Sequence, residues 1–353
     1  MAGKRISVNA KDEEPARRTK HVPVRLPAGL GTTLLFVAAI VVGASIGIGS
    51  AAAGEFLGSQ VDRTVLILVG LLFFEVRFSA LTGSGANLRF LSIAWIMNFV
   101  FIPTIGFAIA SLFLSGDPLF FTGLVIYFMA PCTDWFLGFT RLAKGNTALG
   151  SVLLPLNMIS QLLLYPVYLH IFANGVAPVE AATIGQTLLQ WFVIPCFIAI
   201  TARLAVERFL PELIVSRLLA GVACVIPFVI ALLIVEIFAA NISVIVQHMS
   251  VFAVMLIAVF VFFVSTYVLG EVVSKLAGFD YPEHALLTIT TAARNAPLML
   301  GVTALAMPDQ PLIYAAIVIG MLIEFPHLTA LRQILLLHRR TTGHRPPALQ
   351  GSG

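Results

Sequence analysis

Charged residues are scarce in this sequence, and their scarcity excludes a soluble domain. Asp, Glu, Lys and Arg make up 11% of the 353 residues, whereas hydrophobic residues make up 59%. Soluble globular domains carry about 25% charged residues. A mean hydropathy of +0.99 is typical of a chain surrounded by lipid. The composition therefore predicts a multi-pass integral protein of the cell (plasma) membrane, with the lipid bilayer as its surroundings.

Cysteine is also scarce, which excludes two further classes. Cys132, Cys196 and Cys224 lie in separate apolar segments, so we expect neither a disulfide framework nor a zinc motif. The sequence shows no nucleophile–base pair, metal cluster or phosphate loop, so we expect no enzyme and no cofactor. The net charge of +4 comes from the ends and loops. In a membrane protein such charge reports orientation, so no nucleic-acid partner is expected.

Long apolar segments are abundant instead. Residues 1–29 are predicted to be a disordered basic cytoplasmic tail without a cleavable signal pattern. Residues 30–337 are predicted to form a ten-helix transporter domain, and 338–353 a cytoplasmic C-terminal tail. The ten apolar segments lie near 31–52, 64–81, 90–113, 119–140, 146–171, 182–204, 214–238, 243–270, 282–306 and 311–337.

The distribution of basic residues tests this helix count. With the N-terminus in the cytoplasm, every Lys and Arg except Arg63 and Arg294 falls on the cytoplasmic side. Cytoplasmic loops of membrane proteins carry such an excess, and a wrong count would scramble the alternation. The sequence thus predicts an all-α membrane protein of ten transmembrane helices with both termini cytoplasmic.

Two of the ten segments are interrupted by polar residues. The fourth contains YFMAPCTDW at 127–135, and the ninth contains AARNAP at 292–297. A proline alone would be a packing kink, which neighbouring helices can tolerate. Polar groups at membrane depth are expensive, however, and mark the paths of solutes or ions. Two interrupted helices at corresponding positions of two halves point to the binding site of a transporter.

An odd number of helices in each half predicts an inverted 5+5 repeat with discontinuous, crossed helices four and nine. A shift of 163 residues aligns Ala130 with Ala293, Cys132 with Asn295, and Gln161 with Glu324. The identity is thin. The repeat therefore rests mainly on the two interruptions, which both fall in the fourth helix of their half.

Several polar residues near the interruptions are candidates for binding and coupling. Asp134 and Arg294 would face each other across the repeat, so an ion pair is one expectation. Asn157 and Gln161 are four residues apart and share a face of helix five. Glu324 is either a proton carrier or a structural hydrogen-bonding group.

Three aromatic residues lie close to these candidates. Tyr127, Trp135 and Tyr165 are interpreted as packing or interface anchors, because that role is commoner for such residues than contact with a ligand. Cys132 could also have only a packing role, since a cysteine in an apolar segment is often a small buried hydrophobic residue.

Several short motifs resemble the arsenite-efflux permease family of the bile acid/arsenite/riboflavin transporter superfamily. These motifs are APCT at 130–133, LAKGN at 142–146, LN at 156–157, QLLLY at 161–165 and IEFP at 323–326. In that family a cysteine of helix four is needed for arsenite export, and Cys132 occupies its place. The resemblance implies exchange of neutral arsenous acid for protons.

The ninth segment departs from the family pattern. The family commonly has two adjacent asparagines followed by Phe-Glu-Leu, whereas this chain has Arg294-Asn295-Ala296-Pro297-Leu298. Pro297 therefore stands at the position of an acid that is important in the family. Asp134 is the residue that would compensate for the loss of this acid. In the bile-acid-type sodium symporters, the sodium-coordinating residues fall near Thr290 and Arg294, and a fixed guanidinium there argues against sodium coupling.

The leading hypothesis from the sequence is a secondary transporter that exports arsenite in exchange for protons. Substrate contacts are predicted at Cys132, Thr133, Asn157, Gln161, Arg294 and Asn295, and proton coupling at Asp134 or Glu324. The thiol of Cys132 would contact arsenic, because soft ligands suit a thiophilic centre.

The alternative is a sodium- or proton-coupled, bile-acid-symporter-like carrier of a small organic anion that Arg294 would bind. A receptor or scaffold would need soluble domains or long loops, which this chain lacks. The sequence leaves open whether the protein forms a homo-oligomer.

Overall fold

The computed structural model describes residues 30–75, 87–133, 135–172, 194–307 and 310–341, and the regular elements of these residues are all helical. Most elements are α-helices, and one short π-helix joins α4 to α5. The α-helices are α1 (Leu30–Gly49), α2 (Ala51–Gly58), α3 (Val61–Glu75), α4 (Leu88–Ile96), α5 (Ile102–Leu114), α6 (Pro118–Met129), α7 (Phe136–Leu142), α8 (Thr147–Phe172), α9 (Ile194–Phe209), α10 (Glu212–Val246), α11 (Met249–Ala277), α12 (Tyr281–Ala292), α13 (Ala296–Ala306) and α14 (Pro311–Thr341).

The lengths and composition of these helices are those of a multi-pass membrane protein. Among the described residues, six helices are long and apolar enough to cross a membrane, or seven if α2 and α3, bent by 40°, form one span. The six are Gly31–Gly49, Leu88–Leu114, Thr147–Tyr168, Glu212–Val246, Met249–Ala277 and Pro311–Arg340. The predicted tail 1–29 and the start of the predicted sixth segment lie outside the described residues.

Two predicted boundaries need correction. A short helix, α2, follows α1 directly where the sequence predicts a loop, because Ser50 caps it by accepting a hydrogen bond from the backbone N–H of Ala53. The last helix continues to Thr341 rather than ending near 337, because the basic residues of its last turn suit the negative end of the helix dipole.

Helix α14 forms the centre of the protein. Its apolar window is 72% buried, against 17–44% for the other five candidate spans. Close approach to α6 requires glycine, because a Cβ on Gly123 would lie 2.6 Å from the carbonyl oxygen of Ile313. Gly320 in turn lies against the ring of Tyr127, where a Cβ would come within 2.7 Å. These contacts fix the height of Glu324 beside α6.

The two broken segments are tied together at one end. The hydroxyl of Tyr281 donates to the carbonyl of Ala143 (2.7 Å), and the N–H of Asn146 donates to the carbonyl of Pro282 (2.9 Å). The start of α12 is therefore fixed beside the end of α7. Asp280 caps α12 by accepting from the N–H of Glu283 (2.9 Å).

Candidate functional site

The two interruptions meet in the interior of the protein, as the sequence predicts. Helix α6 ends at Met129 and α7 begins at Phe136, while α12 ends at Ala292 and α13 begins at Ala296. The intervening backbones run antiparallel and pair at Pro131 and Arg294. We call this pairing, with residues 130–133 and 293–295, the crossing.

Two backbone hydrogen bonds hold the crossing. The N–H of Cys132 donates to the carbonyl of Ala293 (3.0 Å), and the N–H of Asn295 donates to the carbonyl of Ala130 (2.9 Å). The carboxyl ends of α6 and α12 therefore approach each other from opposite sides. The last carbonyls of a helix have no partner within it and carry partial negative charge, so they need donors or cations.

Small neutral side chains line one side of the crossing. Cys132 and Asn295 are fully buried, and Thr133 is 3% exposed. The amide nitrogen of Asn295 donates to the hydroxyl of Thr133 (2.9 Å) and to Oε1 of Gln161 (3.3 Å). The residue after Cys132 in the chain therefore belongs to a group of hydroxyl and amide functions that can both donate and accept hydrogen bonds.

A second polar group continues from this one along α8. The side-chain amide of Asn98 donates to the hydroxyl of Thr290 (3.2 Å), and the amide of Asn157 approaches the same hydroxyl (3.5 Å). All three side chains are fully buried. Asn98 lies in the π-helix Met97–Phe101, and such π-helical turns are frequent at functional sites.

Arg294 is completely buried, and its guanidinium binds backbone carbonyls. One terminal nitrogen donates to the carbonyl of Phe128 (3.0 Å), and the other donates to the carbonyls of Thr290 (3.0 Å) and Thr291 (2.7 Å). The ring of Phe262 lies 5.8 Å from the guanidinium carbon, within cation–π range. Nε makes no hydrogen bond to the residues that the structure describes.

The carboxylate of Glu324 holds the crossing from the side of α14. Its Oε1 accepts from the backbone N–H of Arg294 (2.9 Å) and from Nε1 of Trp135 (2.8 Å), and its Oε2 accepts from the hydroxyl of Tyr127 (3.2 Å). Glu324 is fully buried. One carboxyl group therefore links the flanks of the first break to the backbone of the second.

The structure brings most of the predicted site residues together. Cys132, Thr133, Gln161, Asn295, Arg294 and Glu324 all lie at the crossing or contact it, and Asn157 lies in the adjoining polar group. Gln161 and Asn157 share one buried face of α8. Asp134 lies outside the described residues, and so does its predicted pairing with Arg294.

Sequence reasoning missed four residues. Tyr127 and Trp135, interpreted as packing or interface anchors, donate hydrogen bonds to Glu324 because a buried carboxylate needs donors. Asn98 was not singled out, and Thr290 was named only for its place near the sodium-coordinating positions of related symporters. The available signals were an asparagine within a long apolar segment and a threonine one helical turn before Arg294.

Comparisons with known proteins identify the family of this chain and two relatives. The sequence profile of the Sodium Bile acid symporter family matches residues 63–248, which include the first break. Arsenical-resistance protein Acr3 of Corynebacterium glutamicum is 26% identical over 276 residues, covering 74% of this chain and 74% of that protein. The probable sodium/metabolite cotransporter BASS2, chloroplastic, of Oryza sativa subsp. japonica is 25% identical over 196 residues, covering 54% of this chain and 45% of that protein.

These relatives confirm the resemblance to arsenical-resistance permeases that the motifs at 130–165 carry. They are transporters and not enzymes, which agrees with the broken helices of the described structure. The chain is a secondary transporter that belongs to the sodium bile acid symporter family.

Proposed function

We propose that this protein exports arsenite, as neutral arsenous acid, in exchange for protons. The observation that carries the proposal is the buried thiol of Cys132 at the crossing of two broken helices, in a chain that is 26% identical to an arsenical-resistance protein. The proposal also names the plasma membrane as the location.

The chemistry around Cys132 suits arsenous acid. Arsenic(III) is thiophilic, so the sulfur of Cys132 can bind it while one hydroxyl leaves as water with the thiol proton. The remaining hydroxyls can exchange hydrogen bonds with Thr133, Asn295 and Gln161, whose side chains are neutral. A single thiol allows release on the other side of the membrane, whereas three thiols would hold the substrate too tightly.

Glu324 is the proton carrier that this account favours among the described residues. It is fully buried, and its hydrogen bonds reach both breaks. A change in its protonation would alter the three hydrogen bonds that Glu324 accepts at and beside the crossing, and so could couple proton movement to a change of access. Asp134 remains the second predicted proton carrier.

A ten-helix inverted repeat with both termini in the cytoplasm is part of the proposal. The 163-residue shift relates Ala130 to Ala293 and Cys132 to Asn295. Under that relation, the hydrogen bond from Cys132 to Ala293 is the counterpart of the bond from Asn295 to Ala130. Two equivalent bonds across the crossing are the arrangement expected of a pseudo-twofold axis, which supports the repeat.

A second candidate function is a proton- or sodium-coupled carrier of a small organic anion. The family profile and the plant cotransporter favour it. It needs Arg294 as the partner of a carboxylate, but both terminal nitrogens of that guanidinium already donate to carbonyls. The arsenite proposal is therefore the stronger of the two.

The proposal is tested in cells that lack their own arsenite exporter. Expression of this chain should confer arsenite resistance, and Cys132→Ser should reduce resistance to that of the empty vector. Cys224→Ser is the matched control, because Cys224 lies exposed on α10 and should be replaceable without effect. Full resistance in a Cys132→Ser strain with normal protein levels would remove the thiol from the mechanism.

A further inference from the structure

Arg294 is a buried charge whose side chain bridges the ends of two helices. Its two terminal nitrogens reach the carboxyl-terminal turns of two different helices, α6 through Phe128 and α12 through Thr290 and Thr291. Among the residues that the structure describes, the guanidinium of Arg294 forms no ion pair with a carboxylate, unlike Arg203, which pairs with Glu207.

Glu324 is close to Arg294 but binds a different part of it. The carboxylate accepts from the backbone N–H of Arg294, not from the guanidinium. Carbonyl dipoles, the partial negative charge of two helix ends and the face of Phe262 therefore surround the guanidinium, and the carboxylate of Glu324 adds a negative charge nearby. The carbonyls come from two broken helices and surround one positive charge. A small cation can occupy such an environment.

Transporters built from discontinuous helices commonly bind a coupling cation in this environment. Unwound backbone carbonyls and the carboxyl ends of half-helices coordinate such ions near the middle of the membrane. In this chain the three carbonyls are already engaged by a cation that is covalently part of the protein. A guanidinium has several N–H donors at fixed angles, so one group can bridge both helix ends.

We propose that the Arg294 guanidinium is a built-in cation that replaces a coupling cation at the junction of the two half-helices. The transport cycle then needs no sodium, and the junction stays closed with or without dissolved cations. Removal of the guanidinium should leave a site that an added monovalent cation can fill. Only the transport test of this inference rests on the proposed function. Cation binding at the junction can be measured without any substrate.

The substrate-free test uses purified full-length protein and thermal unfolding. Arg294→Ala should unfold at a lower temperature than the wild type, and low-millimolar guanidinium should raise its midpoint, since a ligand that binds only the folded state stabilises it. Sodium should raise the midpoint less, because it lacks the donor geometry of guanidinium. Neither cation should shift the unfolding midpoint of the wild type relative to the midpoint measured in choline.

Arg203→Ala is the matched control, because Arg203 is also a buried arginine but pairs with Glu207 on its own helix, α9. Guanidinium should not stabilise this variant selectively. Arg294→Lys, which keeps a cation with fewer donors, should be more stable than Arg294→Gln. An Arg294→Ala protein that folds but shows no more stabilisation by guanidinium than Arg203→Ala would overturn the proposal.

The transport test uses proteoliposomes loaded with arsenite. The wild type should transport equally in sodium and in choline, whereas Arg294→Ala should lose about tenfold or more of its rate and recover when guanidinium is supplied. Sodium-dependent transport by the wild type would overturn the proposal whatever the variants do. Wild-type protein that moves no arsenite would refute the proposed function, while the thermal test would still decide the role of Arg294.

Discussion

The two breaks make equivalent backbone hydrogen bonds but differ in length and in content. The first spans 130–135 between α6 and α7, and the second spans 293–295 between α12 and α13. The first contributes a thiol and a hydroxyl, Cys132 and Thr133, whereas the second contributes a guanidinium, Arg294. The carbonyl of Phe128, at the end of the first half-helix, is bound by the side chain of the second break.

This difference indicates a division of roles between the halves. The longer break contributes Cys132 and Thr133, to which the proposed function assigns the neutral substrate. The shorter break supplies the charge that compensates both helix ends.

The same asymmetry holds for the residues that flank the crossing. Gln161 and Glu324 are related by the 163-residue shift, and each hydrogen-bonds to the second break. Gln161 accepts from the side chain of Asn295, whereas Glu324 accepts from the backbone of Arg294. Only the second position carries a group that can exchange a proton.

The largest effect is expected when this asymmetry is removed at Glu324. Glu324→Gln keeps a carbonyl oxygen for the N–H groups of Arg294 and Trp135, and its amide can donate to the hydroxyl of Tyr127. The fold should therefore persist, while arsenite movement driven by a pH gradient should fall to the level of empty vesicles. Transport is measured as arsenite content of proteoliposomes with and without the gradient.

Glu324→Ala separates the structural role of Glu324 from its coupling role. It leaves three buried donors without an acceptor, and each buried donor left unpaired costs about 1–3 kcal/mol of stability. Its unfolding temperature should thus be clearly lower than that of Glu324→Gln. Proton-driven transport that survives in Glu324→Gln would contradict the coupling role of Glu324. Another acid would then carry the proton, and Asp134 would be tested next.

A smaller effect is expected at Thr290, whose hydroxyl accepts hydrogen bonds from Asn98 and Asn157. Thr290→Val removes the acceptor of Asn98 and Asn157 but keeps the backbone carbonyl that Arg294 binds. We expect a loss of about 1–3 kcal/mol in stability and a several-fold slower transport, because buried amide donors lose their partner. Unfolding midpoints and initial arsenite fluxes give the two values.

Thr291→Val is the matched control for this change. The hydroxyl of Thr291 donates to the carbonyls of Leu287 and Thr288 within its own helix, so its loss should matter little. Its backbone carbonyl also binds Arg294, and valine leaves that bond intact. Equal effects of the two valine variants would show that the hydroxyl of Thr290 has no special role.

The sequence was sufficient to locate the breaks because consecutive polar residues lie beside the prolines, at 132–134 and at 294–295. Proline alone would have misled, since α8 continues through Pro155 and Pro166, α10 through Pro227 and α14 through Pro326. Neighbouring helices can satisfy the carbonyls that those prolines free. At Pro131 the chain instead turns toward the other break and bonds to it.

The partners within the site were harder to predict, because they depend on how helices far apart in sequence pack. Trp135 and Tyr127 can reach Glu324 because α6 packs closely against α14 at Gly123. The direction of the Arg294 side chain was equally inaccessible. A charge rule favours a carboxylate as its partner, whereas among the described residues the guanidinium donates to three backbone carbonyls.

The most direct measurement is arsenite transport by the purified protein in proteoliposomes on which a proton gradient or a sodium gradient is imposed separately. The account predicts that the proton gradient drives arsenite across the membrane, that the sodium gradient alone does not, and that small organic acids are not carried. Transport of an organic acid driven by sodium, with no movement of arsenite, would contradict it.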